Sequence, residues 1–231
     1  MYQLIEVENQ EDLQEIFNTL PKMGYRGINV TVPYKNIILE IAKNAGFEIH
    51  PDAQTLQAVN TINFQKKQAL NTDPYGFSKI FTPKEDDQIL VVGAGGAASS
   101  VVMACQGANI TITNRTHHKA EKIAEEFMCD IYNGELSKLD LANFDVIINA
   151  TSLGLNGEEL PLNYKTLQKQ TKCIDIIYNP KVTPFLDISH KKGCKIENGA
   201  MMLVHQGAKS FHNWNGILPD TQSVNKSFLS R

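Results

Sequence analysis

The chain has 231 residues, of which 42% are hydrophobic and 20% charged, a composition typical of a globular protein with one large or two small domains. Its formal net charge of −3 gives no basic field for nucleic acid, and no run of roughly eighteen apolar residues could span a bilayer. The first residues lack the pattern of a signal peptide, so we expect a cytoplasmic protein with neither membrane nor nucleic-acid partners.

The first part of the chain alternates short apolar runs with segments whose apolar residues recur at helical spacing. It predicts a strand at Tyr2–Val7, a helix at Gln10–Leu20, a strand at Gly27–Pro33, a helix at Lys35–Ala45, a hairpin made of Ala58–Phe64 and a run ending at Leu70, and a turn at Asn71–Gly76. The polar stretch Pro83–Asp87 follows, and it predicts a domain boundary after residue 83.

Strands and helices alternate beyond that boundary. The pattern predicts strands at Ile89–Val92, Ile110–Thr113, Val146–Ala150, Cys173–Ile177 and Lys195–Glu197, and helices at Ala97–Gln106, His117–Phe127 and Ala200–Trp214. Such alternation favours a parallel, doubly wound sheet that binds ligands at the carboxyl edge of its strands. We therefore predict an α/β fold of two domains, with a Rossmann-type half at 84–199 and with 200–231 completing the domain formed by 1–83.

A glycine-rich turn follows the first strand of the second domain. Gly93-Ala94-Gly95-Gly96-Ala97-Ala98 comes directly after Ile89–Val92. In a dinucleotide-binding unit the first glycine makes the tight turn, the second admits the pyrophosphate, and the third small residue lets the helix pack on the strand. Glycines also mark ordinary turns, but the strand-turn-helix context favours a dinucleotide site.

Three polar residues, Asn114-Arg115-Thr116, close the next predicted strand, where an NAD enzyme usually presents a carboxylate to the ribose 2′-hydroxyl. An amide, a guanidinium and a hydroxyl suit a 2′-phosphate instead, with Arg115 as its permanently charged partner. Taken alone, Arg115 would also suit a solvated surface. Its position predicts NADP as the cofactor, and the isolated cysteines give no reason to expect a metal.

Polar side chains also gather after the predicted strands of the first domain. Thr31 lies near the end of one predicted strand and Lys35 at the start of the helix after it, while Asn60 lies in the hairpin and Asp73 in the turn that follows. Such residues suit a pocket for a polyhydroxylated small molecule, and a lysine beside an aspartate can exchange a proton with a substrate oxygen. A structural interpretation is also open, with Lys35 as a surface lysine at a helix start and Asp73 as a turn former.

Eight short motifs stand in order along nearly the whole chain. They are Asn29-Val30-Thr31-Val32-Pro33-x-Lys35, Ala58-Val59-Asn60-Thr61, Asn71-Thr72-Asp73-x-x-Gly76, Gly93-Ala94-Gly95-Gly96-Ala97, Asn114-Arg115-Thr116, Asn149-Ala150-Thr151-Ser152-x-Gly154, Asp175-x-x-Tyr178-Asn179-Pro180-x-x-Thr183-Pro184 and Leu203-Val204-His205-Gln206-Gly207-Ala208. In this set and order the chain resembles the shikimate dehydrogenase family. The resemblance implies NADPH-dependent reduction of 3-dehydroshikimate to shikimate in aromatic amino-acid biosynthesis, with the active site in the cleft between a substrate-binding domain at 1–83 and an NADP-binding domain at 84–199.

The resemblance also implies residue roles. It makes Lys35 and Asp73 the catalytic pair, with Lys35 as proton donor to the forming alkoxide. The other implied roles are substrate contacts by Thr31, Asn60, Asp73, Tyr178 and Gln206, and NADP contacts by Gly93, Ala94, Gly95, Gly96, Ala97, Asn114, Arg115, Thr116, Ile176 and Gly199. A monomer or homodimer is expected.

One difference from the family is expected to matter. Family members begin with an extra strand and a turn, Asn-Pro-x-x-His-Ser-x-Ser-Pro, whose serines hold the substrate carboxylate, and the chain as given begins after that segment. We expect it to hold that carboxylate less tightly. Two alternatives stay open: a quinate/shikimate dehydrogenase, and a noncatalytic NADP-binding protein that has lost the substrate motif.

Overall fold

A computed structural model describes residues 2–224 of the chain, which form two compact units. The first unit runs to Thr72 and includes Ser210–Pro219, and the second comprises Asp73–Lys209 and continues from Asp220. The predicted functional domains, 1–83 with 200–231 and 84–199, remain a prediction. Residues 1 and 225–231 of those ranges lie outside the described residues.

The first unit is built on a four-stranded sheet. Its elements are a 3₁₀-helix at Gln10–Asp12, α1 at Leu13–Thr19, β1 at Gly27–Asn29, α2 at Lys35–Asn44, β2 at Glu48–Ile49, α3 at Pro51–Thr55, β3 at Thr61–Asn63 and β4 at Gln68–Leu70. The strand order is β1-β3-β4-β2, with β2 parallel to β4 and the other pairs antiparallel. The two predicted helices and the predicted hairpin are therefore confirmed.

One apolar core holds this unit together. Ile38 and Leu39 of α2 are almost fully buried, because they lie on the helical face that packs on the sheet. Phe17 of α1 packs edge-to-face against Phe47 and Phe64, with ring centroids 5.2 and 5.3 Å away. This packing fixes α2, whose first turn carries a candidate catalytic residue.

The predicted strand at Tyr2–Val7 is wrong, since these residues adopt no regular secondary structure. Side-chain hydrogen bonds hold part of the segment instead: the Tyr2 hydroxyl donates to Asn29 Oδ1 and the Tyr25 hydroxyl to Gln3 Oε1, both at 2.8 Å. An alternating apolar pattern becomes a strand only when a neighbouring backbone completes its hydrogen-bond ladder.

Two further predictions for this region need correction. The strand predicted to reach Pro33 ends at Asn29, because residues 32–34 form a turn that leads into α2. The predicted turn at Asn71–Gly76 gives way to a helix, α4 at Asp73–Ser78. Aspartate followed by proline is common both in turns and at helix starts, so the dipeptide did not distinguish them.

The second unit contains a six-stranded sheet flanked by helices. After α4 its elements are β5 at Gln88–Val92, α5 at Gly96–Ala104, β6 at Asn109–Thr113, α6 at His117–Phe127, β7 at Asp130–Ile131, 3₁₀-helices at Leu136–Lys138 and Leu141–Asn143, β8 at Val146–Asn149, a 3₁₀-helix at Tyr164–Thr166, β9 at Lys172–Asp175, α7 at Pro184–Lys191, β10 at Lys195–Glu197 and α8 at Ala200–Asn215. The last residues of α8, from Ser210, belong to the first unit.

The strand order of this sheet is β7-β6-β5-β8-β9-β10, and each neighbouring pair is parallel. This is the doubly wound Rossmann order, so the predicted fold class is confirmed. The chain reverses its direction of winding between β5 and β8. Ligands of such sheets bind at that reversal, beyond the carboxyl ends of the strands.

Candidate active site

Three parallel strands end together at the point of reversal. Val92 of β5 is in register with Thr113 of β6 and with Asn149 of β8. The Gly93 amide donates to the Thr113 carbonyl and the Ala150 amide to the Val92 carbonyl, each at 2.8 Å. The loops after these strands therefore begin side by side.

The turn after β5 requires glycine at its first position. Gly93 has φ +116°, and a Cβ there would lie 2.7 Å from the Ala150 carbonyl oxygen. Both the left-handed backbone and the close approach exclude a side chain. Gly95, at the N-cap of α5, provides no side-chain cap, and a Cβ on Gly95 or Gly96 would meet nothing within 4 Å. There is thus open space beside the first turn of a nine-residue helix, the arrangement that accommodates a phosphate.

A cavity of about 780 Å³ lies at this edge of the sheet. It is lined by residues 92–95, 113–117, 119, 133–137, 150–153, 160 and 161. Six of the predicted cofactor residues are among them: Gly93, Ala94, Gly95, Asn114, Arg115 and Thr116. The remaining four, Gly96, Ala97, Ile176 and Gly199, do not line this cavity. The volume is within the range of small-molecule and cofactor sites.

Two cations line the part of the cavity next to β6. Arg115 follows the strand and Lys119 lies one turn further, in α6. The cavity also borders one carboxylate, Glu135, which forms an exposed ion pair with Lys138 at 2.9 Å. Asn114 Nδ2 donates to the Thr116 carbonyl at 2.9 Å and so closes the turn that presents Arg115. This donor set fits a ribose 2′-phosphate.

The residues of this unit therefore fit NADP. The glycine turn leaves room at the start of α5, and two cations lie where a phosphorylated ribose would need them. Sequence reasoning missed Lys119, although its four-residue spacing from Arg115 in front of a helix was an available signal. It also assigned no contact to Thr151 or Ser152, and both line the cavity.

Two of the predicted substrate residues, Thr31 and Asn60, and the predicted catalytic Lys35 lie in the first unit. Lys35 is the first residue of α2, and its carbonyl accepts from the Val59 amide at 3.0 Å, which places the helix start beside Asn60. The buried Asn60 side chain donates to Thr72 Oγ1 at 3.0 Å and accepts from the Thr72 amide at 2.9 Å. Thr31 is exposed, and its carbonyl accepts from the Tyr34 amide in the turn before α2. The fold thus gathers these three residues.

The other substrate residues lie in the second unit. Asp73 is buried at the start of α4 and directly follows Thr72 in the chain. A Cβ on Gly76 would lie 2.9 Å from Gln206 Cβ, so the first turn of α4 packs closely against α8 at Gln206. Tyr178 follows β9 and is 44% exposed, so its ring can reach a ligand. The predicted pair of Lys35 and Asp73 joins residues of different units and remains a prediction.

Ile176 and Gly199 contact each other directly. A Cβ on Gly199 would lie 1.9 Å from the Ile176 carbonyl oxygen, so only glycine fits there. The Gly199 amide donates to the Ile177 carbonyl at 3.1 Å. These two predicted NADP contacts therefore form one local structure after β9, and their role stays a prediction.

The described residues contain neither a candidate membrane span nor a candidate metal-binding cluster. Within residues 2–224 no helix is both long and apolar enough to cross a membrane. The same part of the chain holds no group of three or more histidine, cysteine, aspartate or glutamate side chains placed to bind a metal ion.

The Rossmann strand order, the glycine turn and the two cations define a dinucleotide-binding protein of the dehydrogenase class. Two family models match the chain: "Shikimate dehydrogenase substrate binding domain" over residues 1–62 and "Shikimate / quinate 5-dehydrogenase" over residues 77–180. The chain belongs to the shikimate dehydrogenase family.

Similarity to individual proteins supports this family assignment. The shikimate dehydrogenase (NADP(+)) of Methanococcus aeolicus is 37% identical over an alignment of 246 positions, gaps included, that covers 99% of this chain and 86% of that protein. The crystal structure of shikimate dehydrogenase from Aquifex aeolicus matches with a TM-score of 0.85 and 33% identity, covering 96% of this chain and 84% of that one. The Thermus thermophilus enzyme in complex with NADP(H) and shikimate matches with a TM-score of 0.83 and 30% identity, covering 96% and 85%.

Proposed function

We propose that this chain catalyses the NADPH-dependent reduction of 3-dehydroshikimate to shikimate, and the reverse oxidation, in aromatic amino-acid biosynthesis. The observation that carries the proposal is the 37% identity, over 99% of the chain, to a protein named shikimate dehydrogenase (NADP(+)). The cavity at the end of β5, with its glycine turn and two cations, independently supports NADP as the cofactor.

The second unit supplies the cofactor contacts in this proposal. Residues 93–97 hold the pyrophosphate, residues 114–116 bind the 2′-phosphate, and Ile176 and Gly199 flank the nicotinamide. When bound, NADPH supplies the hydride that reduces the ketone carbon. The protein's task is then to place the ketone and to handle the proton.

Lys35 transfers that proton, and Asp73 positions the substrate. As the ketone becomes an alkoxide, the Lys35 ammonium donates a proton to its oxygen, and in the oxidation the neutral amine takes the proton back. Asp73 accepts a hydrogen bond from the neighbouring hydroxyl and so orients the ring. Asn60, Thr31, Tyr178 and Gln206 complete the hydrogen bonds to the substrate's polar groups.

Replacing the catalytic pair tests the proposal. Lys35→Ala and Asp73→Ala should each lower kcat for shikimate oxidation by about a hundredfold or more while the Kd for NADPH barely changes, because each acts in the transition state. Lys84→Ala and Asp86→Ala are the matched controls, because they remove the same two kinds of side chain, a lysine and an aspartate, from exposed positions. Near-normal turnover in either catalytic variant would show that its assigned role is wrong.

The same assay separates the alternatives. Quinate is tested beside shikimate, because one of the matching family models is described with both substrates. Faster turnover of quinate than of shikimate would show that quinate is the preferred substrate and that the proposed substrate is wrong. NADPH binding without turnover of either compound would favour a noncatalytic NADP-binding protein.

We also propose that the protein works in the cytoplasm as a monomer or homodimer. All four cysteines are free, and three of them are buried, which suits a reducing compartment. Light scattering on the protein as it leaves a size-exclusion column measures its mass in solution, and an assembly larger than a dimer would contradict the proposed oligomeric state.

A further inference from the structure

A fully buried carboxylate lies at the end of β9, and the proposed chemistry does not use it. Asp175 is 0% exposed and accepts three hydrogen bonds. Oδ2 accepts from Thr183 Oγ1 at 2.7 Å and from Asn149 Nδ2 at 3.0 Å, while Oδ1 accepts from the Ile177 amide at 3.0 Å. Each oxygen therefore has at least one donor directed at it.

Asn149 extends this network into the loop after β8. Its Nδ2 also donates to the Leu153 carbonyl at 3.0 Å. Its Oδ1 accepts from the Thr151 amide at 3.0 Å and from Thr151 Oγ1 at 2.7 Å. One buried side chain thus sets the course of residues 151–153, which line the cavity of about 780 Å³.

Close backbone packing joins the loops after β8 and β9. Gly154 has φ +115°, and a Cβ there would lie 3.1 Å from Thr183 Cβ. The Ile176 amide donates to the Asn149 carbonyl at 3.0 Å. A shift at Asp175 would therefore move both the cavity wall and the Ile176–Ile177 backbone.

Holding a charge in this place is costly. Burial raises the pKa of Asp175, while the hydrogen bonds from Thr183, Asn149 and the Ile177 amide lower it. Apolar residues of similar size often hold a core together at least as well as buried charges do. Hydrogen bonds from donors on three separate segments, by contrast, fix the relative positions of those segments, which apolar packing does less well.

We propose that Asp175 is a positioning residue, whose carboxylate fixes the Thr151–Leu153 wall of the dinucleotide cavity together with the Ile176–Ile177 backbone. Asn149 and Thr183 are its obligatory partners. This inference rests on the proposed function, because it places both segments at the cofactor end of the site.

Two sets of variants test it. In Asp175→Asn one oxygen becomes an NH₂ group, and either orientation of the amide leaves at least one donor facing it. Thr183→Val removes one donor to Asp175, together with the long cap of 3.4 Å that Thr183 Oγ1 accepts from the Leu186 amide, with little change of shape, and Thr183→Ser keeps both. Asp187→Asn is the control, since that carboxylate is partly exposed and pairs with Lys191 on α7.

We expect Asp175→Asn and Thr183→Val to raise the Kd for NADPH and to lower kcat, each by about tenfold or more, because small misplacements at a reacting centre are costly. Thr183→Ser and Asp187→Asn should behave as the unmodified chain. The Kd is measured by fluorescence titration and the melting temperature in parallel. If Asp175→Asn does not fold, the difference in Kd and kcat between Thr183→Val and Thr183→Ser tests the inference.

Three results would overturn the inference. In the first, the variants melt earlier but bind NADPH and turn over normally, so that the network serves only stability. In the second, Thr183→Ser is as defective as Thr183→Val. In the third, the unmodified chain does not bind NADPH. If it binds NADPH but does not oxidise shikimate, the proposed function fails while the Kd values still test the network.

Discussion

Replacing Arg115 by alanine tests the cofactor assignment most sharply within the second unit. Arg115 and Lys119 both line the cavity beside β6, and both side chains are exposed. A charge-assisted hydrogen bond contributes roughly 1.5–3 kcal/mol, and solvent exposure puts these contacts near the lower limit. At about 1.4 kcal/mol for a tenfold change, Arg115→Ala should weaken NADPH binding about tenfold.

The comparison with NADH isolates the 2′-phosphate. The unmodified chain should bind NADPH at least about tenfold more tightly than NADH, and Arg115→Ala should remove most of that preference while leaving NADH affinity nearly unchanged. Adding Lys119→Ala should remove the remainder. Lys122→Ala, an exposed lysine of the same helix that does not line the cavity, is the matched control.

Fluorescence titration of both cofactors at two salt concentrations measures these affinities. The NADPH preference should shrink at high salt, because exposed charges are screened. Equal dissociation constants for the two cofactors in the unmodified chain would refute the reasoning from Arg115. So would an equal loss of NADPH affinity in Lys122→Ala.

Two further predictions concern the second unit. Gly93→Ala should cost roughly 1–3 kcal/mol of stability and abolish most NADPH binding, because the methyl group would lie 2.7 Å from the Ala150 carbonyl oxygen at φ +116°; unchanged urea unfolding and NADPH titration curves would contradict this. Burial, followed by the charge of Asp87, raises the pKa of the Cys105 thiol from 9.0 to about 12. The thiol therefore ionises at lower pH in the unfolded chain than in the folded one. The stabilisation that follows from this difference is complete below pH 9.0 and is lost as the pH rises towards about 12. Cys105→Ala should flatten that fall in urea-unfolding free energy, and an unchanged slope would contradict the assignment.

Local patterns predicted the dinucleotide half of the fold well. The predicted helix at His117–Phe127 and strand at Lys195–Glu197 have the bounds found in the structure. Strands such as β5 and β8 are buried on both faces and appear as continuous apolar runs. The glycine turn could be placed because Gly93 meets a local steric need, with φ +116° and the Ala150 carbonyl oxygen 2.7 Å from where its Cβ would lie.

Features that depend on distant partners were missed. Tyr2–Val7 has a strand-like pattern but no ladder partner. The two-residue strand β2 and the short helix α3 carry too little periodicity to detect, and α3 begins where the His50 ring accepts from the Asp52 amide at 3.3 Å. Asp175 and Asn149 are 26 residues apart, so only the fold reveals their hydrogen bond.

The central claim is an NADP-dependent oxidation of shikimate, and the initial rate of the unmodified 231-residue chain tests it most directly. Purified protein is mixed with shikimate and either NADP⁺ or NAD⁺, and formation of the reduced cofactor is followed by absorbance. We expect turnover with NADP⁺ that is lost in Lys35→Ala and is much slower with NAD⁺. No turnover of shikimate by a folded chain that binds NADPH would contradict the claim.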